Sequence, residues 1–410
     1  MFAATAMATI KPFAALRPKP ELAARMCELP YDVLTSDEAR ETAAGNPFSF
    51  YRISKPEIDL PATLSPHDPQ VYEKGKRNFA RFRSEGWLRP DAQPCFYLYR
   101  QTMGRHGQVG LVAVASCEEY LRNLIRKHEL TRPDKEDDRV RHIEALNAQT
   151  GPAFLTYRAE PALDALFAER IAVAPAVDFT AADGVRHSAW ILDRPDDLAL
   201  IQEAFAGIRF LYIADGHHRT AAAARVYQNR KGKGNSRYFL AVIFPHNQLQ
   251  ILPYNRGLKD LNGLKPEALI QKLETVFTLR EAGSPQTAQP HEVDFYFQGR
   301  WRALQFRPHL TATPQVLEKL DVALLQQHVL RPIFGIDDPR TSDHIRFVAG
   351  IRGTAELERL VNCGDLACAF SLWPTRVEDL MAVADAGEIM PPKSTWFEPK
   401  LRDAMFCHLI

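Results

Sequence analysis

Residues 208–219 read IRFLYIADGHHR, residues 220–230 read TAAAARVYQNR, and residues 238–244 read YFLAVIF. The β-branched and aromatic run Ile208 to Ile213 predicts a strand, the alanine-rich run Thr220 to Arg230 a helix, and Tyr238 to Phe244 a second strand. A crossover of this length normally joins parallel strands with a right-handed turn, and ligands bind beyond the carboxyl end of the first strand. Asp215-Gly216-His217-His218-Arg219 sits at that end.

A helix start attracts anions, because its first amides lack intrahelical partners and its dipole is positive there. Gly216 lets the backbone turn sharply and approach a ligand, while His217, His218 and Arg219 add donors suited to phosphate oxygens. Ala221 to Ala224 keep the helix narrow enough to pack on a sheet. Asp215 does not fit a pure anion cradle. It could hold Mg²⁺ bridging phosphates, accept a proton from an attacking hydroxyl, or cap the helix. The two histidines also admit a metal-hydrolase reading, with His128, Glu129 and Asp32 as further ligands. Other phosphate and nucleophile motifs are missing: there is no GxxxxGK[ST], no GxSxG and no GxGxxG after a strand.

Outward from this unit, Thr35-Ser36-Asp37-Glu38 has capping-box spacing ahead of a helix near 36–44. The segment from Lys11 to Asp32 carries four prolines and is expected to be largely extended. CFYLYR (95–100) and GLVAVA (110–115) predict a hairpin turning at 104–107. Ser116 and Glu119 repeat the capping-box spacing and predict a helix to about Lys127. Between Arg122 and Glu144 charge is dense, and Val140, Ile143 and Leu146 mark one buried stripe of an otherwise exposed helix. Further on, Pro266 to Val276 predicts a helix with proline in its first turn, and 293–298 with 301–306 a hairpin. The ending Pro391 to Phe397 is too rigid and aromatic for a frayed tail.

With 410 residues the chain exceeds one hydrophobic core, and a boundary near 260 gives an N-terminal α/β region, 1–260, and a C-terminal α+β domain, 261–410. Hydrophobic residues make up 46% and charged residues 25%, as in a globular protein. The net charge is +1, so anion binding must be local and nucleic acid is not an expected partner. The six cysteines form no CxxC, which fits reduced thiols in the cytoplasm. MFAATAMATIKPF lacks a basic start, which argues against a cleaved signal, and no apolar run reaches membrane length.

The residues Ile213 to Arg219, with Pro30-Tyr31-Asp32-Val33, Asn46-Pro47, Lys127-His128-Glu129 and Met390-Pro391-Pro392-Lys393-Ser394-Thr395, resemble a widespread prokaryotic family labelled only as a domain of unknown function. The strand, DGHHR and helix unit also resembles the phosphate-binding box of the ParB and sulfiredoxin-like fold, which includes free-serine kinases. That resemblance implies donor phosphates on Asp215, Gly216, His217, His218 and Arg219. It implies ATP or ADP as donor and a glutamate outside the motif as base, for which Glu129 is the candidate, with Asp32 and Asp215 behind it.

The expectation is therefore a kinase that moves a phosphoryl group from a nucleotide, or pyrophosphate, to a small hydroxyl metabolite, with free L-serine giving O-phosphoserine as the favoured case. Phosphoryl transfer demands mainly positioning and charge neutralisation. Asp215, His218 and Glu129 take catalytic roles, Asp215 also holding Mg²⁺. Gly216, His217, His218, Arg219 and Lys393 bind the donor, and Arg139 or Lys393 meets the acceptor or the transferred group. The alternatives are a ParB-like nucleotide-binding regulatory module and a metal-dependent phosphohydrolase.

Overall fold

A computed structural model describes residues 8–282, 285 and 289–410. The first seven residues of the stretch read against a cleaved signal lie outside the described residues. The chain forms a mixed α/β fold with two compact units, one running up to Leu249 and including Pro399–Ile410, the other Gln250–Glu398.

The first unit is built on a nine-stranded sheet. Its strands are β1 (Ile10–Lys11), β2 (Phe96–Met103), β3 (His106–Ser116), β4 (Ile125–Arg126), β5 (Ala153–Tyr157), β6 (Val177–Thr180), β7 (Arg186–Leu192), β8 (Leu211–Asp215) and β9 (Tyr238–Pro245). The order is β4-β8-β5-β9-β3-β2-β7-β6, with β1 also paired to β3. As the sequence predicts, β2 and β3 form a hairpin, Met103 facing His106 across a turn in which Gly104 takes φ +58°. The middle of β3 is buried without alternation, as expected for a strand covered on both faces.

Two sequence expectations need correcting. β8 and β9 are not parallel neighbours: β5 lies between them, antiparallel to β8 and parallel to β9, so β8 and β9 run oppositely. Periodicity marks both as strands but carries no information about a third strand that intervenes. The helix opened by Ser116 spans only Cys117–Leu121. The Ser116 hydroxyl does accept from the Glu119 amide, but the Glu119 carboxylate accepts from the Thr9 amide at 2.7 Å, so the reciprocal half of the box is unmade. Asn123, at φ +58°, then turns the chain into β4.

Helix α1 (Ser36–Ala43) carries the full capping box at Thr35 and Glu38. Helix α2 (Pro133–Leu146) begins with proline and buries Val140, Ile143 and Leu146. Val140 and Ile143 pack on Ala222 and Val226 of α3 (His217–Asn229). Asp138 and His142 of α2 are buried as well, where Asp138 accepts from the Tyr72 hydroxyl and a ring nitrogen of His142 lies 2.8 Å from the Ile53 carbonyl. Asn147, at φ +52°, ends the helix in the left-handed region.

The second unit holds a six-stranded antiparallel sheet. Its hairpin Glu292–Phe297 with Arg300–Phe306 turns at Gln298 and Gly299, both at positive φ, the geometry of a two-residue turn that matches strand twist. The predicted helix spans Pro266–Val276. Trp396–Glu398 pairs with Gln250–Leu252, which anchors the aromatic ending. The Ser394 hydroxyl donates to the Pro391 carbonyl at 2.6 Å. Among the described residues, no helix is long and apolar enough to cross a membrane.

Candidate functional site at the start of helix α3

Strand β8 is buried through Ala214 and leaves Asp215 half-buried at its carboxyl end. Its pairing with β5 shifts register between Ile213 and Asp215, a bulge that marks the strand's exit. Gly216 follows at φ +88° and is the cap residue of α3, with no side-chain cap on the helix. A Cβ at Gly216 would stand 3.1 Å from Arg219 Nε and 3.4 Å from Ala153 Cα. Gly216→Ala is therefore expected to destabilise the protein by ~1–3 kcal/mol through positive-φ strain. Thermal unfolding checks this, and an unchanged midpoint would contradict the reading of the turn. Ala221 to Ala224 are buried, as narrow packing requires.

The Asp215 carboxylate accepts from the Gly216 amide at 2.7 Å and from Lys400 Nζ at 2.9 Å. Burial opposes its charge, but the Lys400 ammonium and Arg219 guanidinium outweigh burial and hold the carboxyl well below the usual carboxylate range. Arg219 donates to the Pro152 carbonyl, and its charge is favoured by Asp32, Asp215 and Asp403. His218 Nε2 accepts from the Arg132 amide at 3.1 Å.

His217 turns inward. It is buried, its ring lies edge-on to that of His128 at 4.5 Å, and Nδ1 is 3.9 Å from a Glu129 carboxylate oxygen. Burial pushes His128 down to about 4, and burial together with His128 pushes His217 well below the ordinary histidine value, so both rings are neutral at pH 7. Lys393 belongs to the second unit, where its ammonium lies 5.5 Å from the Tyr254 ring centroid.

A small cavity of about 30 Å³ is lined by Tyr31, Arg139, His142, Thr150, Arg219 and Asp403, among others. Its free space is close to that of one water molecule. Arg139 pairs with Asp138 at 2.5 Å and stacks on Tyr31, 3.7 Å from the ring centroid. Asp403 is 2% exposed, and its Oδ1 has no hydrogen-bond partner among the described residues. Burial, reinforced by Asp32 and Glu28, lifts its carboxyl to about 7 against the pull of Arg219 and Arg139. Gly151 makes room for it, since a Cβ there would stand 2.3 Å from Asp403 Oδ1.

The structure thus brings Asp215, Gly216, His217, His218 and Arg219 together with Glu129 and His128. It adds two residues that the motif reading missed, Lys400 and Asp403, both from the closing segment Pro399–Ile410. That segment follows Leu16 and Gln149 back into the first unit through backbone pairing of Cys407 and His408. No local motif surrounds Lys400 or Asp403, so no pattern in the sequence marks them.

A search of curated proteins finds no match. Similar solved structures include a free serine kinase in complex with AMP, at 12% identity and a TM-score of 0.36, covering 70% of this chain and 86% of that one. A conserved hypothetical protein from Pyrococcus furiosus is 14% identical with a TM-score of 0.36, covering 72% and 93%. SbnI with a C-terminal truncation, from Staphylococcus aureus, is 14% identical with a TM-score of 0.38, covering 71% and 85%. The family model described as "Protein of unknown function (DUF1015)" matches residues 10–323, more than half of the sequence, and the chain belongs to that family.

Proposed function

We propose that this protein is a cytoplasmic phosphotransferase that moves a phosphoryl group from ATP, ADP or pyrophosphate to a small hydroxyl metabolite, with free L-serine the favoured acceptor. One observation carries the reading: a buried strand delivers a left-handed glycine and an uncapped helix start, flanked by the Arg219 and Lys400 cations. Such a start binds polyanions through its amides and dipole. The sequence resemblance of DGHHR to the phosphate-binding box points the same way.

In this reading the donor phosphates rest on Gly216 to Arg219. Asp215, held ionised and paired with Lys400, is a weak base and already has its cation, so it orients the turn and Lys400 rather than ligating Mg²⁺. Mg²⁺ would arrive on the nucleotide, neutralising its phosphates. Asp403 is the better-tuned base, poised near neutrality. The acceptor oxygen attacks the terminal phosphorus, the bond to the leaving phosphate oxygen breaks, and the hydroxyl proton passes to Asp403. The cavity beside Asp403 fits the reacting hydroxyl rather than a whole metabolite, so the rest of the acceptor lies outside it.

The test is incubation with ATP, ADP or pyrophosphate, Mg²⁺ and L-serine, read as phosphoserine. Phosphoserine that depends on the protein supports the proposal. Phosphate release without phosphoserine indicates the phosphohydrolase, and binding without turnover the regulatory module; either overturns it.

A further inference from the structure

We propose that His128, Glu129 and His217 form a binding site for one divalent first-row transition ion of the zinc or cobalt kind, with coordination positions left open. Ligand atoms of the three side chains all lie within 4.8 Å of one another. Tetrahedral coordination with bonds of about 2.1 Å places ligand atoms roughly 3.4 Å apart, so the 3.9 Å between His217 Nδ1 and Glu129 Oε2 closes with a small side-chain movement.

The second observation is the polar atoms this arrangement strands. His128 is 2% exposed; one ring nitrogen has the Ile213 carbonyl as its neighbour at less than good hydrogen-bond geometry, and the other has no hydrogen-bond partner among the described residues. The Nε2 atom of His217, 6% exposed, has none either. A buried polar atom without a partner has lost its water and gained nothing in return, and native proteins leave few of them. An imidazole binds an ion through one nitrogen, so an ion beside the Glu129 carboxylate takes one nitrogen from each of these two perpendicular rings and accounts for a stranded nitrogen of His128.

The donor set selects the ion. Two imidazoles with one carboxylate suit zinc, cobalt or iron, whereas Mg²⁺ and Ca²⁺ favour all-oxygen sites. Nearby side chains do not compete. The Asp215 carboxylate is engaged by the Gly216 amide and Lys400, and His218 Nε2 by the Arg132 amide. Glu129 keeps 37% of its side chain exposed, which gives the ion a way in. Three protein ligands leave at least one position for water or another oxygen ligand.

The inference does not depend on phosphoryl transfer, and the two fail separately: an ion bound without phosphoryl turnover leaves the site standing and removes only the kinase. The test uses the full chain, stripped with a chelator and dialysed, then titrated with CoCl₂ under visible absorption and with ZnCl₂ under elemental analysis after desalting. One ion per chain is expected, with cobalt bands of a low-coordinate nitrogen and oxygen site and a zinc-dependent rise in thermal midpoint. His128→Gln and Glu129→Gln are each expected to weaken binding by ~100-fold or more. Glu129→Gln, at a partly exposed position, keeps the test decisive where a change at buried His128 harms folding. No ion retained by the parent chain, or a cobalt spectrum unchanged in folded Glu129→Gln protein, would overturn the assignment.

Discussion

Asp403→Asn is expected to lower phosphoserine formation by a factor of ~10²–10⁴, the usual worth of a positioned general base. The pH profile separates this from a structural effect. A base must be deprotonated to act, so the parent rate rises with pH and levels above about 7, where burial has placed the Asp403 carboxyl. The residual rate of the variant lacks that rise. Stability moves in the opposite sense. The folded carboxyl titrates near 7 and the unfolded one near ~3.9. Between those values the folded state binds a proton that the unfolded state has released, so stability falls as pH rises through the window and is level above it. The full swing is on the order of 4 kcal/mol. Asparagine removes this part, and Glu28, also lifted to about 7 by burial, leaves a residual slope. Activity within tenfold of the parent, with the same pH profile, would show that Asp403 is not the base.

The second large effect concerns the pair that joins the turn to the closing segment. Asp215→Asn leaves the Lys400 ammonium, 10% exposed, without its carboxylate. Breaking a buried pair costs ~3–5 kcal/mol, and the 31% exposure of Asp215 reduces this to roughly 1–3 kcal/mol here. Loss of turnover in that variant alone is therefore ambiguous. The double variant Asp215→Asn with Lys400→Met removes both charges and is expected to recover most of the thermal midpoint while turnover stays low by ~100-fold or more. Recovery of turnover together with stability would assign the pair a purely structural role.

What the sequence revealed was local. The capping box at Thr35 and Glu38, the two hairpins, the proline-led helix at 266 and the strand and helix around DGHHR are each specified by residues a few positions apart. Long-range pairing was hidden. The placement of β5 between β8 and β9 depends on a strand whose own sequence, Ala153 to Tyr157, names no partner. The helix after Ser116 is shorter than its sequence suggests because Asn123, at φ +58°, turns the chain into β4. At the site, the helix start and the gathering of DGHHR residues were legible, because Gly216 and the apolar strand before it dictate the turn. Lys400 lies 185 residues from Asp215, and only the folded chain brings the two together. The perturbed state of Asp403 likewise arises from burial against Arg219, Asp32 and Arg139, which no spacing rule encodes.

The central claim is that a polyanion settles on the start of α3. Hydrogen exchange of the backbone amides across 211–225, measured with and without added pyrophosphate or ADP, tests it most directly. The account predicts that protection appears first and most strongly at 216–220 and weakens in Gly216→Ala protein. Binding with protection confined to another part of the chain, or no binding of either anion at millimolar concentration, would contradict it.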